Sequence, residues 1–174
     1  GSLYMSRVMG VACPRVGLIS NGVEAKKGNE LTKAAHALML ELPIDFVGNV
    51  EAREVHSGDI DVAVCDGFVG NVILKLTEGL AGTLFSMMKE EFVNDFRSKT
   101  GALMLKPAFA RVKKKLDYTE YGGAPFLGID GAVIKAHGAS NAKAVAAAIQ
   151  QARSMVFNDV VSQIRSGIAE LDSK

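Results

Sequence analysis

The chain has 174 residues, 48% of them hydrophobic and 22% charged, with a net charge of +1. That is enough apolar content for a sizeable α/β core, and it excludes a disordered chain or one built as a strongly charged partner of nucleic acid. Cys13 and Cys65 are the only cysteines and no unbroken run of 18 apolar residues occurs, so the expectation is reduced, buried thiols in a cytoplasmic protein with no membrane span.

Leu3 to Met9 reads as the tail of a helix, so the chain is expected to open inside a larger protein. Arg15 to Ser20 is the first strand, short, apolar and bounded by Pro14 and Asn21-Gly22. A charged loop, Val23 to Lys27, leads to Gly28-Asn29. Asn29 is a helix cap, and the helix from Glu30 to Leu42 carries an apolar stripe of Leu31, Ala34, Ala35, Leu38 and Leu42. His36 lies off that stripe and is expected in solvent. Lys26, Lys27, Gly28 and Asn29 make a candidate anion-binding loop at a helix start.

Ile44 to Val50 is the second strand, ending in Gly48-Asn49, and Ile60 to Cys65 is the third. The third breaks at the turn dipeptide Asp66-Gly67 and a helix restarts at about Asn71, the expected N-cap, with Lys75 one turn further. A strand, a glycine-bearing loop and a helix N-terminus together suit an anion, and Asp66 sits at the carboxyl end of its strand. The stretch is not a Walker A loop, and the chain has no G-x-G-x-x-G fingerprint. Three strands with crossovers predict a largely parallel sheet whose polar, Gly-containing loops emerge on one edge around a single cleft.

The helix from Asn71 is expected to reach Phe96, with Val72, Leu76, Leu80, Leu84, Met88 and Phe92 at four-residue spacing, wide enough to pack across a subunit interface. Arg97 to Leu116 then holds seven Lys and Arg residues and no acid, leaving −6 for the remainder of the chain. Phe109, Val112 and Leu116 share one face of a short helix after Pro107. Such a basic amphipathic segment can lie on an anionic membrane surface, dock an acidic protein, or be a solvated face over a core. A glycine-rich loop, Asp117 to Gly131, precedes a last strand at Ala132 to Ala136. A final helix from Ser140 or Asn141 to Leu171 carries Val145, Ile149, Ala152, Val156, Val160 and Ile164 as its stripe. Lys135 and His137 stand beside that last strand-to-helix turn.

These residues carry a resemblance. Lys27-Gly-Asn-Glu30, Gly48-Asn-Val-Glu51, Cys65-Asp-Gly-Phe-Val-Gly-Asn71, Leu116-Asp-Tyr-Thr-Glu-Tyr-Gly-Gly-Ala-Pro125 and Ile134-Lys-Ala-His-Gly138 occur in this order. Together they resemble the PlsX-type phosphate acyltransferases of bacterial phospholipid synthesis, over most of the chain. The resemblance implies transfer of a fatty acyl group from acyl carrier protein to inorganic phosphate, without metal or cofactor. It implies an α/β fold, a three-layer αβα sandwich with a mostly parallel sheet similar to isocitrate and isopropylmalate dehydrogenases, incomplete here because family members carry a substantial N-terminal portion.

It also implies roles for particular residues. Lys27, Asp66 and His137 are the catalytic candidates. Asn29, Glu30, Asn49, Gly67, Gly70, Asn71, Lys75, Gly122, Gly123 and Lys135 are candidates for phosphate or substrate, with the Gly70 and Asn71 amides as donors. Lys75 has a competing role as a partner of Glu78. Lys106, Phe109, Arg111, Val112, Lys113, Lys114 and Leu116 are the expected contacts to a membrane surface or acyl carrier protein. A homodimer, peripherally membrane-associated in the cytoplasm and without nucleic acid, completes the expectation. Two other classes compete: a non-catalytic piece that docks acyl carrier protein or membrane, and a phosphotransacetylase-like enzyme using acyl-coenzyme A. An oxidoreductase of the same fold group is disfavoured by the missing dinucleotide motif.

Overall fold

The computed structural model describes residues 1–115 and 122–172, with backbone alone at 113–115 and 171–172. A short helix, α1 (Ser2–Arg7), precedes β1 (Arg15–Ser20), α2 (Glu30–Leu40) and β2 (Asp45–Glu51). A 3-10 turn over Ala52–His56 leads to β3 (Val62–Val64), then to α3 (Gly67–Phe92) and α4 (Phe96–Lys115). The hairpin of β4 (Gly123–Pro125) and β5 (Ile134–Ala136) is followed by α5 (Ala142–Phe157) and α6 (Val160–Asp172).

The α/β class and the parallel sheet agree with the sequence. β1 lies between β2 and β3 and pairs in parallel with both, Leu18 opposite Asn49 on one side and Val64 on the other. α2 packs on β1 and β2, and Val16, Leu18 and Met39 form the buried centre, flanked by Ala35, Ile44, Phe46, Val62 and Val64. The last expected strand falls outside this sheet. β5 pairs antiparallel with β4, Lys135 opposite Ala124, and α5 covers that hairpin.

Several elements depart from the sequence reading. α2 ends at Leu40 because Leu42 precedes Pro43, which disfavours helical backbone. It buries Met39 and half-buries Ala35 and His36, while Leu31 and Leu38 of the expected stripe are exposed. Both faces are apolar, and the sheet selects one. His36 is not solvated: its ring meets the Phe46 ring edge at 5.1 Å and Nδ1–H donates to Asn49 Oδ1 at 2.9 Å.

The cap of α3 is Asp66, not Asn71: Asp66 Oδ1 accepts from Val69 N–H at 2.8 Å, which draws Gly67 to Asn71 into the first turns. α3 stops at Phe92, and Asp95 starts α4 by accepting from Ser98 N–H and Oγ at 2.9 and 2.7 Å. α4 continues through Pro107 as a single helix, not a short helix after it. The final helix is split at Asn158-Asp159, where Asp159 takes φ 49, and α6 packs on α1. α5 buries Ala144, Ala148 and Met155, whereas Val145, Ile149 and Val156 are exposed. The small alanines let the β4–β5 hairpin approach closely, so the buried face is turned away from the bulkier stripe.

Cys13 is exposed and Cys65 half-buried, so only the second is sheltered as expected; both are free thiols. By length and composition α3 could cross a membrane, which corrects the inference from unbroken apolar runs. Its Lys75 and Thr77, however, contact His137 and His56 of the globular body. The molecule exposes 12132 Å² of surface, against about 8,200 Å² for a compact monomer of its mass. Leu74, Leu76, Leu80, Leu84 and Met87 of α3 and Leu103 and Met104 of α4 contribute to the surplus.

Candidate functional site

The ends of β1 and β3 and the starts of α2 and α3 open into one groove of about 890 Å³. Ser20, Asn21, Gly28, Asn29, Thr32, Cys65 and Asp66 form its polar end, and Leu31, Phe68, Val72 and Leu76 line its apolar side. This is the carboxyl edge of a parallel sheet, where α/β folds place ligands. The first amides of a helix have no partner within the helix. At α2, Asn29 Oδ1 caps Thr32 N–H at 2.9 Å, leaving the Glu30 and Leu31 amides. At α3, Asp66 caps Val69 N–H, leaving those of Gly67 and Phe68. Gly70 N–H donates to Asp66 O at 2.9 Å, so the donors lie at Gly67 and Phe68, not at Gly70 and Asn71. Asn71 is an exposed residue of the helix interior. Gly70 lies against the residue that follows β3: a Cβ there would stand 3.0 Å from Cys65 Sγ.

Of the residues expected around phosphate, Asn29 and Asp66 line the groove. Lys27 does not: its exposed side chain lies over Gly22, within 3.1 Å of where a Cβ would stand. Glu30 points to solvent beside Lys33 at 3.6 Å. Asn49 is buried away from the groove lining, its Nδ2 donating to Glu24 O at 2.8 Å and its Oδ1 accepting from His36, so it latches the 22–28 loop and α2 to β2. Gly122 and Gly123 approach protein backbone, not a ligand. Gly122 has φ 75, and a Cβ there would meet Ala148 N of α5 at 2.2 Å; one on Gly123 would meet Lys135 O at 2.6 Å. Lys135 is exposed on the hairpin.

Lys75 and His137 are brought together, though neither is among the residues that line the groove. Lys75 Nζ is 3.4 Å from His137 Nε2 and 3.5 Å from Glu78 Oε2, so its expected pairing with Glu78 is present as well. Ala139 N–H donates to His137 Nδ1 at 3.2 Å. An ammonium can only donate, so the Lys75 contact needs Nε2 as acceptor, and the two bonds ask for different tautomers of the ring.

Sequence reasoning missed Ser20, Thr32, Cys65 and Phe68 as lining residues. Ser20 sits at the end of β1, the one signal that marked it, and its Oγ is buried without a hydrogen-bond partner among the described residues. Burial, then the Asp66 charge, push the Cys65 thiol pKa up. Beneath the opposite edge, Asp61 accepts from Arg15 N–H at 2.8 Å and Nε at 3.1 Å; these bonds hold its carboxyl below the usual range and tie β1 to the approach of β3. Among the described residues no group of three or more His, Cys, Asp or Glu is placed to hold a metal.

The basic segment forms α4. Phe109 packs edge-on against Phe92 of α3 at 5.2 Å, and Lys106 lines a second groove with it. Arg111 and Val112 are exposed. Leu116 and the side chains of Lys113 and Lys114 lie outside the described residues, as do residues 117–121.

The family model described as "Fatty acid synthesis protein" matches residues 1–163. A phosphate acyltransferase of Pelotomaculum thermopropionicum is 53% identical over 174 residues, all of this chain and 51% of the relative. One of Alkaliphilus oremlandii is 53% identical over 171 residues, 98% of this chain and 51% of the relative. One of Clostridium acetobutylicum is 52% identical over 172 residues, 99% of this chain and 52% of the relative. The chain spans about half the length of the curated relatives it matches. With the family model covering nearly all of it, the chain belongs to the fatty acid synthesis protein family, that of the PlsX-type phosphate acyltransferases.

Proposed function

We propose that this chain carries the phosphate side of an acyltransferase that moves a fatty acyl group from acyl-[acyl-carrier protein] to inorganic phosphate, giving acyl phosphate for phospholipid synthesis. One observation carries the reading: the N-termini of α2 and α3, with Asn29 and Asp66, open into the same groove at the carboxyl edge of the sheet. Two sets of outward amides and two positive helix ends suit a small, multiply charged oxyanion. The name of the curated relatives, phosphate acyltransferase, agrees with that ligand.

In the proposed reaction a phosphate oxygen attacks the thioester carbonyl carbon. A C–O bond forms, the C–S bond breaks, and the electron pair leaves on sulfur, which takes a proton. Asp66 orients a protonated phosphate by accepting its P–OH. The Gly67 and Phe68 amides, with the Asn29 side-chain amide, offset the negative charge. Lys75 and His137 face the thiol side and supply a cation and a proton. The apolar wall of Phe68, Val72 and Leu76 takes the start of the acyl chain.

In the same reading, α4 meets acyl carrier protein or an anionic membrane surface, two copies associate through the Leu76, Leu80, Leu84 and Met87 face of α3, and the protein works at the cytoplasmic membrane surface. The remaining length seen in the relatives would complete a three-layer αβα sandwich over the exposed Leu31 and Leu38. The test is an assay with long-chain acyl-[acyl-carrier protein], acyl-coenzyme A and labelled phosphate, run on this chain and on a full-length version. Labelled acyl phosphate from the carrier thioester is expected. Product only from acyl-coenzyme A would move the assignment to a phosphotransacetylase-like enzyme, and none from either chain would leave a docking module.

A further inference from the structure

A second groove, of about 730 Å³, runs between α3 and α4. Phe85, Met88, Phe92, Ala102 and Phe109 line it, with Lys89, Lys99 and Lys106, and no acidic residue is among the described lining residues. The volume falls in the range of about 300–1,000 Å³ common to small-molecule sites, which pair an apolar lining with a few placed polar groups. The Phe92–Phe109 contact at 5.2 Å holds the two helices together at the groove. At 1.5 Å rise per residue, Phe85 lies about 27 Å along α3 from Gly67, too far for the groove to serve the bond-making end of the reaction.

We propose that this groove binds one single-chain amphiphile with an anionic head, its alkyl chain along Phe85, Met88, Phe92 and Phe109 and its head among Lys89, Lys99 and Lys106. Charge complementarity decides the head: of the described lining residues three are lysines and none is acidic, which disfavours a cation. Shape decides the chain. A slot between two helices admits one chain, whereas a membrane surface would need a broad apolar face instead. Fatty carboxylates and fatty acyl phosphates share this chemistry. A site so far from the phosphate groove would hold such a compound as a product or a regulator, and neither its lining nor its lysines depend on where acyl transfer takes place.

The experiment is calorimetric titration of the full chain with n-dodecyl phosphate and with dodecanoate, each below its micelle concentration, against dodecyltrimethylammonium as the cationic control. Saturable one-to-one binding of the anions is expected, with at least a tenfold loss in the Lys99→Glu/Lys106→Glu double variant and no binding of the cation. Ala102→Trp should block the slot, with circular dichroism checking its fold. The surface lysine variants keep the test decisive if it does not fold. Tighter binding of the phosphate than of the carboxylate points to the acyl phosphate as the source, the reverse to the free acid. Excess inorganic phosphate, which fills the first groove, should leave this binding unchanged, which separates this site from the reaction site. Equal binding of the cation, an unaffected lysine variant, binding to phosphatidylglycerol vesicles without any to the monomeric amphiphile, or a groove sealed by a second copy in sedimentation would each overturn the proposal.

Discussion

Lys75 Nζ lies 3.4 Å from His137 Nε2, joining the third turn of α3 to the turn after β5. If the two act as one pair, their effects on turnover are not additive. Lys75→Met and His137→Gln are each expected to lower kcat by about 100-fold, in the range of general acid–base effects. The double variant should be no worse than either single one, and the KM for phosphate should barely move. Losses that multiply in the double variant would show two independent residues.

Asp66 does two things that one substitution can separate. It caps α3 through Val69 N–H and places a carboxylate in the groove. Asp66→Ala should lower stability by about 1 kcal/mol through the lost cap. Asp66→Asn keeps a capping oxygen, so its denaturation midpoint should stay near the native one. Both are expected to lose acyl phosphate formation by at least about 100-fold if the carboxylate orients the nucleophile. Native turnover in Asp66→Asn would reduce Asp66 to a cap.

The Arg15–Asp61 pair gives the fold an acid limb. Hydrogen bonds from the Arg15 guanidinium and then its backbone N–H favour ionised Asp61, so its folded pKa lies below the unfolded value. The unfolded chain therefore takes up this proton first as pH falls. The contribution is whole above about pH 4 and is lost as pH drops through the folded pKa. Urea midpoints measured from pH 6 downward should fall less steeply in Asp61→Asn than in the native chain. Parallel curves would mean the pair adds nothing, as many exposed ion pairs do.

The two thiols should react in order. Cys13 is exposed, while Cys65 is half-buried and its pKa is raised by burial and by Asp66. Because the thiolate is the nucleophile, iodoacetamide near pH 8 should label Cys13 first. Phosphate in the groove should slow Cys65 further without touching Cys13. Peptide mass mapping over time reads both rates, and equal labelling would contradict the placement of Cys65.

What the sequence made legible follows the range of the interactions. β1 was found to the residue because an apolar run stood between Pro14 and Asn21-Gly22, and the Asn29 cap because its partner, Thr32, is three residues on. Asp66 and Asn71 were both competent caps, and only the geometry of the turn chose between them. The latch of His36 and Asn49 was illegible because it depends on α2 lying across β2. Gly122 looked like a ligand approach and proved to be an approach of backbone to α5, a distinction that composition cannot make. The face of α2 was read wrongly because both sides are apolar and only the sheet's position separates them.

The packing of α6 on α1 has a consequence for the order of folding. A Cβ on Gly167 would stand 2.7 Å from Leu3, so the last helix sits directly on the first. That contact closes a loop of nearly the whole chain, and its entropy cost falls due only when everything between has settled. By sequence separation α1 and α6 are therefore the last pair to dock, and amide exchange in both should be fast together while β1 stays protected.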